Sequence, residues 1–566
     1  MKNFKRIYNI LSKKEAHLFS FFILCAFIIS LLEIFSLGLA IPIVGYATNE
    51  NLLDSNSNLN KIFDFSKNID LLLILFFITY VFKILFTLLT TYLKEKFIFK
   101  TSLRISQELF KIYISQPFIF IQNFSPSNLI RNLTHETNNF TALLNSVIIM
   151  FSEIIVLLII FIFLLIFNFK ITLILTFIIL ATSLAYNKFF RKKIKNWAIG
   201  RQDTKLKMIS SLDQGIKCIR EIKLLSKEKF IQNKFYSEQL KGMSYDVKIN
   251  LVQHSPRLFF EFAIIVSILI MLYFGLKSNT TINLFSTLSI FILSAVRFIP
   301  SSSKMISALQ NYRFNISSVE LFEKEFKLKK SQIIILNHKF SIKNVFEKNI
   351  VFSNVSFAYD SGQKIFENIN VTIKKNEKIL IMGESGSGKS TMLDLAAGLI
   401  KPTSGKIFLD DKINLSDAFH NWKSKIGFVA QRNYFLNESI INNIAFGQEK
   451  KLINQEKIIK ICSIIGLSEL IENLPEGLNT SIGEDGTKFS GGQLQRVAIA
   501  RALYTDPAFI IMDEGTSALD EKNESLVLEY LKNLNVTVIF SSHKKNHGKY
   551  FDRIYNVSNK KLESIN

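Results

Sequence analysis

Cysteine is scarce in this sequence, and the three cysteines that are present lie far apart. Cys25, Cys218 and Cys462 are odd in number and form no cluster, so they provide neither a disulfide framework nor a cysteine-rich metal site. A cleavable signal peptide is lacking too. The first apolar run is too long for one and has no small-residue cleavage site, so we interpret it as a membrane span.

Acidic residues are also few relative to basic ones, with 46 Asp and Glu against 69 Lys and Arg. The resulting net charge of +23 is compatible with nucleic-acid binding. However, the basic residues lie mostly in segments that would face the cytoplasm if the apolar runs cross a membrane, where the positive-inside rule expects them. We therefore predict no nucleic-acid partner.

Apolar residues, by contrast, are abundant: they make up 48% of the 566 residues, and 53 of them are phenylalanine. A chain of this length favours several domains. Six apolar segments approach or exceed the ~20 residues that a helix needs to cross a bilayer. These predicted spans are Leu18–Ala47, Leu71–Tyr92, Phe140–Phe167, Ile171–Asn187, Leu258–Leu276 and Ile282–Ile299.

The segments between the spans predict the topology. Residues 93–138 and 188–257 are long and basic, whereas residues 48–70 are not, so both termini and both long linkers should be cytoplasmic. Structureless connections of that length are uncommon, and we expect helices that extend the spans. Breaks at Gln116-Pro117 and Asn123–Pro126 would let a short helix turn across the end of the hairpin. A coiled coil is the alternative for these linkers.

The sequence divides into four regions. Residues 1–17 form a basic amphipathic helix that either lies on the membrane surface or is simply solvated. Residues 18–315 form the predicted membrane domain, and residues 316–345 form a linker. In residues 346–566, short β runs alternate with helical patterns, which is typical of a soluble α/β domain.

Some ionisable residues fall inside the predicted spans. A charge at membrane depth is costly, so it faces a cavity or a partner. Lys83 and Arg297 are candidates to contact an anionic substrate. The alternative is that they pair internally with Glu33, Glu153 or Glu261.

A glycine-rich stretch in the α/β domain predicts a phosphate-binding loop. It follows the apolar run Lys378–Met382 and precedes a helical pattern, and this context favours a phosphate cradle over a structural glycine turn. Lys389 would reach the β- and γ-phosphates, and the Ser390 hydroxyl would hold Mg²⁺. The predicted nucleotide-binding residues of this stretch are Gly383, Glu384, Ser385, Gly386, Ser387, Gly388, Lys389, Ser390 and Thr391.

Other candidate nucleotide contacts lie elsewhere in the same domain. Tyr359 can stack on adenine or simply pack at a strand end, and Gln431 ends a strand and can contact Mg²⁺ or the attacking water. A second helix start suited to anions has the sequence Ser490, Gly491, Gly492 and Gln493. One nucleotide needs only one phosphate loop, so this second helix start suggests a site completed by another subunit.

Two acids and a histidine complete the candidate chemistry. Asp513 ends an apolar strand and would hold Mg²⁺, and Glu514 would polarise the attacking water as a general base. A solvated acidic strand end is the alternative. His543 follows another buried strand and can contact the γ-phosphate. The candidate catalytic residues are thus Glu514, His543 and Lys389, and the candidate metal ligands are Ser390, Gln431 and Asp513.

These motifs, in this order, resemble the ATP-binding cassette (ABC) family over residues 351–566. Three positions depart from the family pattern. Phe489 and Gly515 stand where Leu and Ala are usual, and residues 543–547 lack the Arg-Leu-Ser-Thr that usually follows the histidine. The resemblance implies a membrane α-helical domain of six transmembrane helices fused to a C-terminal α/β P-loop ATP-binding cassette, as in exporter-type half-transporters.

The same resemblance implies ATP and Mg²⁺ as cofactors and alternating access driven by hydrolysis. It implies a homodimer in which one chain's phosphate loop faces the other chain's Ser490–Gly492. It also places the protein in the bacterial inner membrane as a multi-pass protein, with the ATP-binding domain and both termini cytoplasmic.

A narrower resemblance concerns the cargo. The segments Glu33–Pro42, Pro256–Glu261 and Ser286–Pro300 are similar to flippases for lipid-linked oligosaccharides of bacterial protein N-glycosylation. This similarity implies a polyprenyl-pyrophosphate-linked glycan or a related glycolipid as substrate. An exporter of lipid A, a drug or a peptide is one alternative, and a non-transporting, membrane-anchored regulator is another.

Overall fold

The computed structural model describes residues 2–47, 69–122, 124, 126–167, 169–277, 281–336, 345–359 and 362–565. The chain forms two compact units. The first comprises Met1–Gln116 and Phe124–Gln332, and the second comprises Pro117–Asn123 and Ile333–Asn566. The second unit therefore includes a short segment from the middle of the helical half of the sequence.

Long helices dominate the described residues up to Leu336. In chain order they are α1 (Lys2–Ile10), α2 (Lys13–Ala47), α3 (Ile69–Ile114), α4 (Phe118–Gln122), α5 (Pro126–Arg131), α6 (Thr137–Phe167), α7 (Phe169–Lys217), α8 (Ile219–Leu224), α9 (Glu228–Lys277) and α10 (Thr281–Leu336). A single π-helical turn, Asn132–Glu136, joins α5 to α6.

Several of these helices are longer than a bilayer is thick. The longest, α10, has 56 residues, which at 1.5 Å per residue corresponds to about 84 Å. The hydrocarbon core of a bilayer is about 30 Å thick. The helices therefore extend beyond the apolar stretches, and the predicted linkers 93–138 and 188–257 are mainly helical in their described residues.

By length and composition, the described residues contain four stretches suited to cross a membrane: Lys13–Glu33, Asp70–Ile114, Pro126–Ile162 and Glu228–Ile270. They overlap the first, second, third and fifth predicted spans. The other two predicted spans, Ile171–Asn187 and Ile282–Ile299, lie in α7 and α10. Several of their side chains fall outside the described residues, so these two spans stay predictions.

The chain turns between α1 and α2 through a capping box. The Ser12 hydroxyl accepts a hydrogen bond from the Glu15 N–H (3.3 Å), and the Glu15 carboxylate accepts one from the Ser12 N–H (2.8 Å). This reciprocal pair satisfies two N–H groups that a helix start leaves free. The predicted N-terminal segment 1–17 thus contains α1 and the first turn of α2.

The first unit has its own apolar core near the ends of α3 and α6. Ile105, Leu109 and Phe140 are fully buried there, together with Phe322 of α10. The rings of Phe140 and Phe322 meet edge to face, with centroids 5.5 Å apart, a favoured aromatic geometry. The predicted linker 316–345 begins inside α10, and its boundaries stay predictions.

The second unit is an α/β fold. Its strands are β1 (Asn349–Ala358), β2 (Lys364–Lys374), β3 (Lys378–Gly383), β4 (Ser404–Leu409), β5 (Ile413–Asn414), β6 (Ile426–Val429), β7 (Phe509–Asp513), β8 (Thr537–Ser541), β9 (Arg553–Ser558) and β10 (Lys561–Ile565). Its helices after α10 are α11 (Lys389–Ala397), α12 (Leu415–Trp422), α13 (Ile440–Ile444), α14 (Gln455–Ile464), α15 (Ser468–Glu472), α16 (Gly491–Tyr504) and α17 (Glu521–Asn533).

The strands form two sheets. One has the order β2-β1-β4-β5 and is antiparallel, and the other has the order β10-β9-β3-β8-β7-β6. In the second sheet, β9, β3, β8, β7 and β6 are parallel to their neighbours, and β10 is antiparallel to β9. The predicted short helix of the first linker is present as α4, and its Ile119 packs against the apolar core of this unit.

Apolar strands explain why the mixed sheet forms the centre of the second unit. Every residue of β7 and β8 is buried, as expected of parallel strands covered on both faces. Trp422 and Phe509 are fully buried, and their rings are tilted with centroids 5.1 Å apart. Phe346 meets both rings edge to face. This packing anchors the start of β7, the strand whose carboxyl end carries Asp513.

Candidate nucleotide site

The candidate site residues follow neighbouring parallel strands. In the sheet, β3, β8, β7 and β6 are adjacent, and each is followed at its carboxyl end by one of the sequence motifs. Parallel strands place their carboxyl ends at the same edge, where ligands bind in open α/β sheets. The sheet order thus brings together motifs that lie more than 150 residues apart in the sequence.

The loop between β3 and α11 has the backbone of a phosphate cradle. Gly383, Gly386 and Gly388 have φ values of 151°, 81° and 109°, which L-residues with a side chain rarely adopt. Lys389 is 9% exposed, and its ammonium donates to the Gly383 and Glu384 carbonyls at 2.8 and 3.0 Å. Lysine and backbone N–H groups are thus concentrated in one turn.

One buried hydroxyl group in this loop indicates that the loop accommodates a polar ligand. The Ser387 hydroxyl is buried and has no hydrogen-bond partner among the described residues. Buried hydroxyls are normally hydrogen-bonded. An orphaned hydroxyl beside Lys389 therefore fits a loop that is built around a polar ligand such as a phosphate group.

The structure brings Glu514 together with Gln431 and His543. The Gln431 amide donates to the Glu514 carboxylate at 3.1 Å, and the His543 Nδ1 lies 3.7 Å from the same carboxylate. Glu514 itself adopts a left-handed φ of 49°, a costly conformation for a residue with a side chain. The backbone therefore leaves the extended conformation at Glu514, immediately after β7 ends.

Asp513 and Ser541 link the ends of β7 and β8. The Ser541 hydroxyl donates to the Asp513 carboxylate at 2.7 Å and accepts from the Glu514 N–H at 3.0 Å. Asp513 is only 7% exposed. Burial, and secondarily the nearby Asp513 charge, raises the pKa of Asp394 in α11 to about 7. Two close carboxylates in a buried position form an environment that a cation would stabilise.

The predicted metal ligands offer the right atoms for Mg²⁺. Ser390, Gln431 and Asp513 supply hydroxyl, amide and carboxylate oxygens, and Mg²⁺ prefers oxygen ligands and is commonly held by one or two carboxylates plus substrate phosphates. No cluster of three His, Cys, Asp or Glu suited to a metal occurs among the described residues. The donor set therefore fits Mg²⁺ bound jointly with a nucleotide and does not form an all-protein metal cage.

The second predicted anion-binding helix start is well formed. Ser490 caps α16 in a capping box with Gln493: the Ser490 hydroxyl accepts from the Gln493 N–H, and the Gln493 side chain accepts from the Ser490 N–H at 2.8 Å. A Cβ on Gly492 would lie 2.7 Å from the Ala518 carbonyl. The loop after β7 therefore packs directly against this helix start.

Two predicted residues near the phosphate loop also have defined contacts. The Tyr359 hydroxyl and the Thr391 hydroxyl are 3.1 Å apart, and the Tyr359 ring meets Phe357 edge to face.

Among the three departures from the family sequence, the glycine at position 515 has a clear structural reason: a Cβ there would lie 2.5 Å from Met512 Cε. Alanine at this position would force the methionine to move.

The intramembrane charges pair within the first unit. Lys83 Nζ lies 3.2 Å from the Glu33 carboxylate, and the Arg297 guanidinium bonds to the same carboxylate. Glu33 is 8% exposed. The pairing that the sequence left as an alternative therefore occurs with Glu33, while Glu261 pairs with Arg257 one turn away.

The first unit also contains a cavity of about 440 Å³. Its polar lining includes Lys94, Asn145, Glu153 and Lys304. Glu153 is 6% exposed and lies 3.9 Å from Lys304. One oxygen of Glu153 and the Asn145 side-chain oxygen are buried without a hydrogen-bond partner among the described residues. The cavity thus offers both cations and acceptors.

Sequence reasoning missed three residues that contact the loops of the candidate site. Gln495 donates to the Glu514 carbonyl at 3.1 Å and accepts from the Ala518 N–H at 2.8 Å, so it joins α16 to the loop after β7. Ser541 joins two strand ends, and Glu524 receives several bonds near His543. Ser541 alone had a visible signal, because it directly follows the apolar run Val538–Phe540 and lies two residues before His543.

Two family models match the chain. The model described as "ABC transporter transmembrane region" matches residues 18–295, and the model described as "ABC transporter" matches residues 366–517. The second match contains the phosphate loop, the start of α16 and the end of β7.

Individual relatives match over different lengths. An alpha-hemolysin translocation ATP-binding protein of Escherichia coli O157:H7 is 41% identical over 215 residues, which are 37% of this chain and 30% of that protein. The chain therefore spans less than a third of that relative at this match. An ATP-dependent lipid A-core flippase of Cupriavidus pinatubonensis is 26% identical over 461 residues, which are 80% of this chain and 77% of that protein.

A solved structure has the same fold over nearly the whole chain. It is a bacterial Atm1-family ABC exporter with ATP bound, and it matches with a TM-score of 0.77 at 18% identity, covering 97% of this chain and 94% of that chain. At this identity the likeness concerns the fold alone.

Proposed function

The chain belongs to the ABC transporter family, with an exporter-type transmembrane domain fused to a C-terminal ATP-binding domain, and we propose that it hydrolyses ATP to move a lipid-linked oligosaccharide or a related glycolipid across a bacterial inner membrane. The two family models, which match residues 18–295 and 366–517, show the family, and the fold likeness supports the architecture. The ATP site residues, the cargo and the cellular orientation are the content of the proposal.

The observation that supports ATP hydrolysis most strongly is the contact of Glu514 with both Gln431 and His543. A general base must lie within hydrogen-bond reach of the water it activates, and apo sites are commonly looser than reacting ones. Glu514 takes this role, and His543 stands beside it to contact the transferred phosphoryl group. Lys389 in the β3–α11 loop neutralises charge on the β- and γ-phosphates.

Binding of the nucleotide falls to the loop and its neighbours. Backbone N–H groups of residues 383–391 enclose the phosphates, and Tyr359 stacks on the adenine. Ser390, Gln431 and Asp513 would hold Mg²⁺. When bound, the metal supplies charge neutralisation at the phosphate oxygens.

Two copies of the chain complete the site in this proposal. The capped start of α16, with Ser490, Gly491 and Gly492, presents N–H groups to a γ-phosphate that the partner chain's loop holds. Gln493 keeps Ser490 oriented through the capping box. A homodimer would have two equivalent sites, each with its own Glu514 and His543.

Coupling to the membrane would use the short helix α4. This helix belongs to the second unit, although in the sequence it lies between α3 and α5, which belong to the first unit. Its Ile119 packs on the second unit's core. Because α4 is joined in sequence to the long helix α3 and to the short helix α5, movement of that core on nucleotide binding would be transmitted along the chain to the first unit, which supports alternating access.

A cationic excess in the first unit supports an anionic cargo. Among the described residues, Lys83, Arg297 and Lys304 lie close to two carboxylates, Glu33 and Glu153. A net positive charge within a membrane domain is expensive unless it serves a ligand. We propose that a pyrophosphate group competes with Glu33 for Lys83 and Arg297, while glycan hydroxyls bind the acceptors of the cavity.

A second cargo has a specific observation in its favour. A relative that matches over 80% of this chain is named a lipid A-core flippase, and lipid A-core is also an anionic glycolipid. The cation cluster suits phosphate groups of either lipid. Drug or peptide export has no comparable support among the charged residues of the first unit that the structure describes.

The test is a flipping assay in proteoliposomes with the purified full chain. We expect ATP-dependent translocation of a polyprenyl-pyrophosphate glycan, loss of translocation in Arg297→Ala, and near-normal basal ATPase activity in that variant. Glu514→Gln is the control without hydrolysis. Translocation of lipid A-core alone would favour the second cargo, and normal glycan translocation by Arg297→Ala would remove Arg297 from the cargo site.

A further inference from the structure

We propose that Glu524 is a positioning residue that fixes Glu514 and His543 relative to one another, so that ATP hydrolysis depends on a carboxylate that never touches the nucleotide. This inference rests on the proposed ATPase function. Glu524 lies in the first turn of α17, ten residues after Glu514, and is 6% exposed. Nothing in its sequence surroundings distinguishes it from the other acids of that turn.

One side of the Glu524 carboxylate holds the loop that follows β7. The Thr516 hydroxyl donates to Glu524 Oε1 at 2.9 Å, and Thr516 is 1% exposed. Thr516 is two residues from Glu514, so this bond restrains the backbone next to the catalytic carboxylate. Gln495 restrains the same loop from α16 through the Glu514 carbonyl and the Ala518 N–H.

The other side of Glu524 holds the loop that follows β8. Lys544 Nζ donates to both Glu524 oxygens, at 3.0 and 2.8 Å, and His547 Nε2 lies 3.2 Å from Oε1. Lys544 is adjacent to His543. Two of the residues that depart from the usual family sequence after the histidine, Lys544 and His547, therefore lie against Glu524.

The surroundings make this carboxylate a strong restraint. Burial opposes its ionisation, but hydrogen bonds from Lys544 and Thr516 and the charges of His547 and Lys544 outweigh burial and lower the pKa of Glu524. Burial lowers the pKa of His547, and the His547 ring packs edge to face against Phe540 of β8. Hydrogen bonds to a buried charge are stronger than neutral ones, so Lys544 and Thr516 should stay bound together.

The geometric consequence concerns the 3.7 Å separation of His543 from the Glu514 carboxylate. Glu514 and His543 each lie on a short loop, and each loop is hydrogen-bonded to Glu524. Small misplacements of reacting groups reduce rates by large factors. Loss of the hydrogen bonds to Glu524 should therefore lower kcat. The affinity for ATP should stay nearly unchanged, because the β3–α11 loop provides it.

The experiment measures kcat and KM for ATP in the full chain reconstituted in lipid. We expect Glu524→Gln and Lys544→Met to lower kcat about 10-fold with KM within about 2-fold, and Lys544→Arg to restore most of the rate. In the double variant Glu524→Gln, Lys544→Met, the loss of kcat should equal the loss in either single variant, because the two substitutions remove the same contact.

The outcomes separate this inference from the function on which it rests. If the unmodified chain shows no ATPase activity, the proposed function fails. If the unmodified chain is active and Lys544→Met, whose lysine side chain is 41% exposed, keeps full kcat, the positioning role fails. The role also fails if Lys544→Arg loses as much rate as Lys544→Met, or if the two single losses multiply in the double variant.

Discussion

Large apolar side chains are buried in the second unit, but many are exposed on the surface of the first. In the second unit, Phe352 and Phe509 are 1% and 0% exposed, whereas in the first unit Phe77 and Phe177 are 68% and 73% exposed. Water drives aromatic side chains into a core, but a lipid environment has no such preference and leaves them on the outside. The difference indicates that each unit is adapted to a different solvent.

Charge burial, in contrast, is shared by both units. Glu33 and Glu153 are buried in the first unit, and Lys389 and Asp513 are buried in the second. Buried charges are expensive in either solvent unless they are paired or serve a ligand. Apolar exposure therefore reports the environment of each unit, whereas the buried charges include the candidate functional positions of both.

The largest expected effect is the loss of ATP hydrolysis on substitution of Glu514 in the second unit. Glu514→Gln should lower ATP hydrolysis by about 100-fold or more, because a general base contributes 10²–10⁴-fold, while nucleotide binding persists. The measurement is phosphate release together with binding of a fluorescent ATP analogue. Glu521→Gln, an exposed acid at the start of α17, is the control and should retain activity. Equal activity of the two variants would remove Glu514 from the base role.

The contrast in aromatic burial can be tested directly. Phe509→Ala should cost the second unit about 3–5 kcal/mol of unfolding free energy, whereas Phe77→Ala in the first unit should stay within about 0.5 kcal/mol. Denaturant unfolding in nanodiscs, followed by the fluorescence of the buried Trp422, measures the first effect. Thermal aggregation measures the second. A large loss of stability in Phe77→Ala would show that the Phe77 side chain packs on protein instead of facing lipid.

The buried ion cluster of the first unit should be costly to break. Glu33→Gln leaves Lys83 and Arg297 without their shared carboxylate, and removing one partner of a buried pair costs about 3–5 kcal/mol. We expect the lower end of this range, because Lys83 and Arg297 retain partial exposure. Glu261→Gln, which breaks an exposed pair with Arg257, should cost less than about 1 kcal/mol. Thermal inactivation of transport compares them, and equal losses would contradict the cluster's role.

Two glycines of the phosphate loop form a matched pair. Both have left-handed φ values, but a Cβ at Gly388 would lie 2.6 Å from Ile365, whereas a Cβ at Gly386 would meet nothing within 4 Å. Gly386→Ala should therefore cost about 1 kcal/mol through backbone strain alone, and Gly388→Ala about 2–3 kcal/mol with overpacking added. Thermal unfolding with and without ATP is the measurement. Equal shifts would mean that Ile365 moves aside freely.

The smallest expected effect is the pH dependence of Glu524. Because its pKa is lowered in the folded chain, the carboxylate adds stability at pH values above its ordinary pKa of about 4.3, and this contribution is lost as pH falls through the folded-state pKa. The stability gap between the unmodified chain and Glu524→Gln should therefore narrow below about pH 4.3. A gap that is constant from pH 7 to 3 would contradict this sign.

The sequence predicted much of the second unit because its motifs have fixed local context. A strand followed by a glycine loop and a helix specifies where Lys389 lies, and an apolar strand end specifies Asp513. The partners of these residues were harder to predict. Gln495 and Glu524 act through contacts between distant segments, and a single sequence does not contain the register that brings them together.

In the first unit the sequence predicted helices better than contacts. Long apolar runs specify helices, and breaks at prolines gave the position of α4. Which of three acids would pair with Lys83 and Arg297 depended on helix packing, because residues more than 200 positions apart meet at Glu33. Helix faces in lipid carry little apolar contrast, so periodicity does not report their neighbours.

The most direct test of the account asks whether two chains share one nucleotide. Differently tagged chains carrying Ser385→Cys or Ser490→Cys, in a Glu514→Gln background with the exposed Cys218 replaced by serine, are mixed in lipid and treated with a short thiol crosslinker. The account predicts a product that joins the two tags and that increases when ATP is added. A product confined to single chains, or one that ignores ATP, would contradict it.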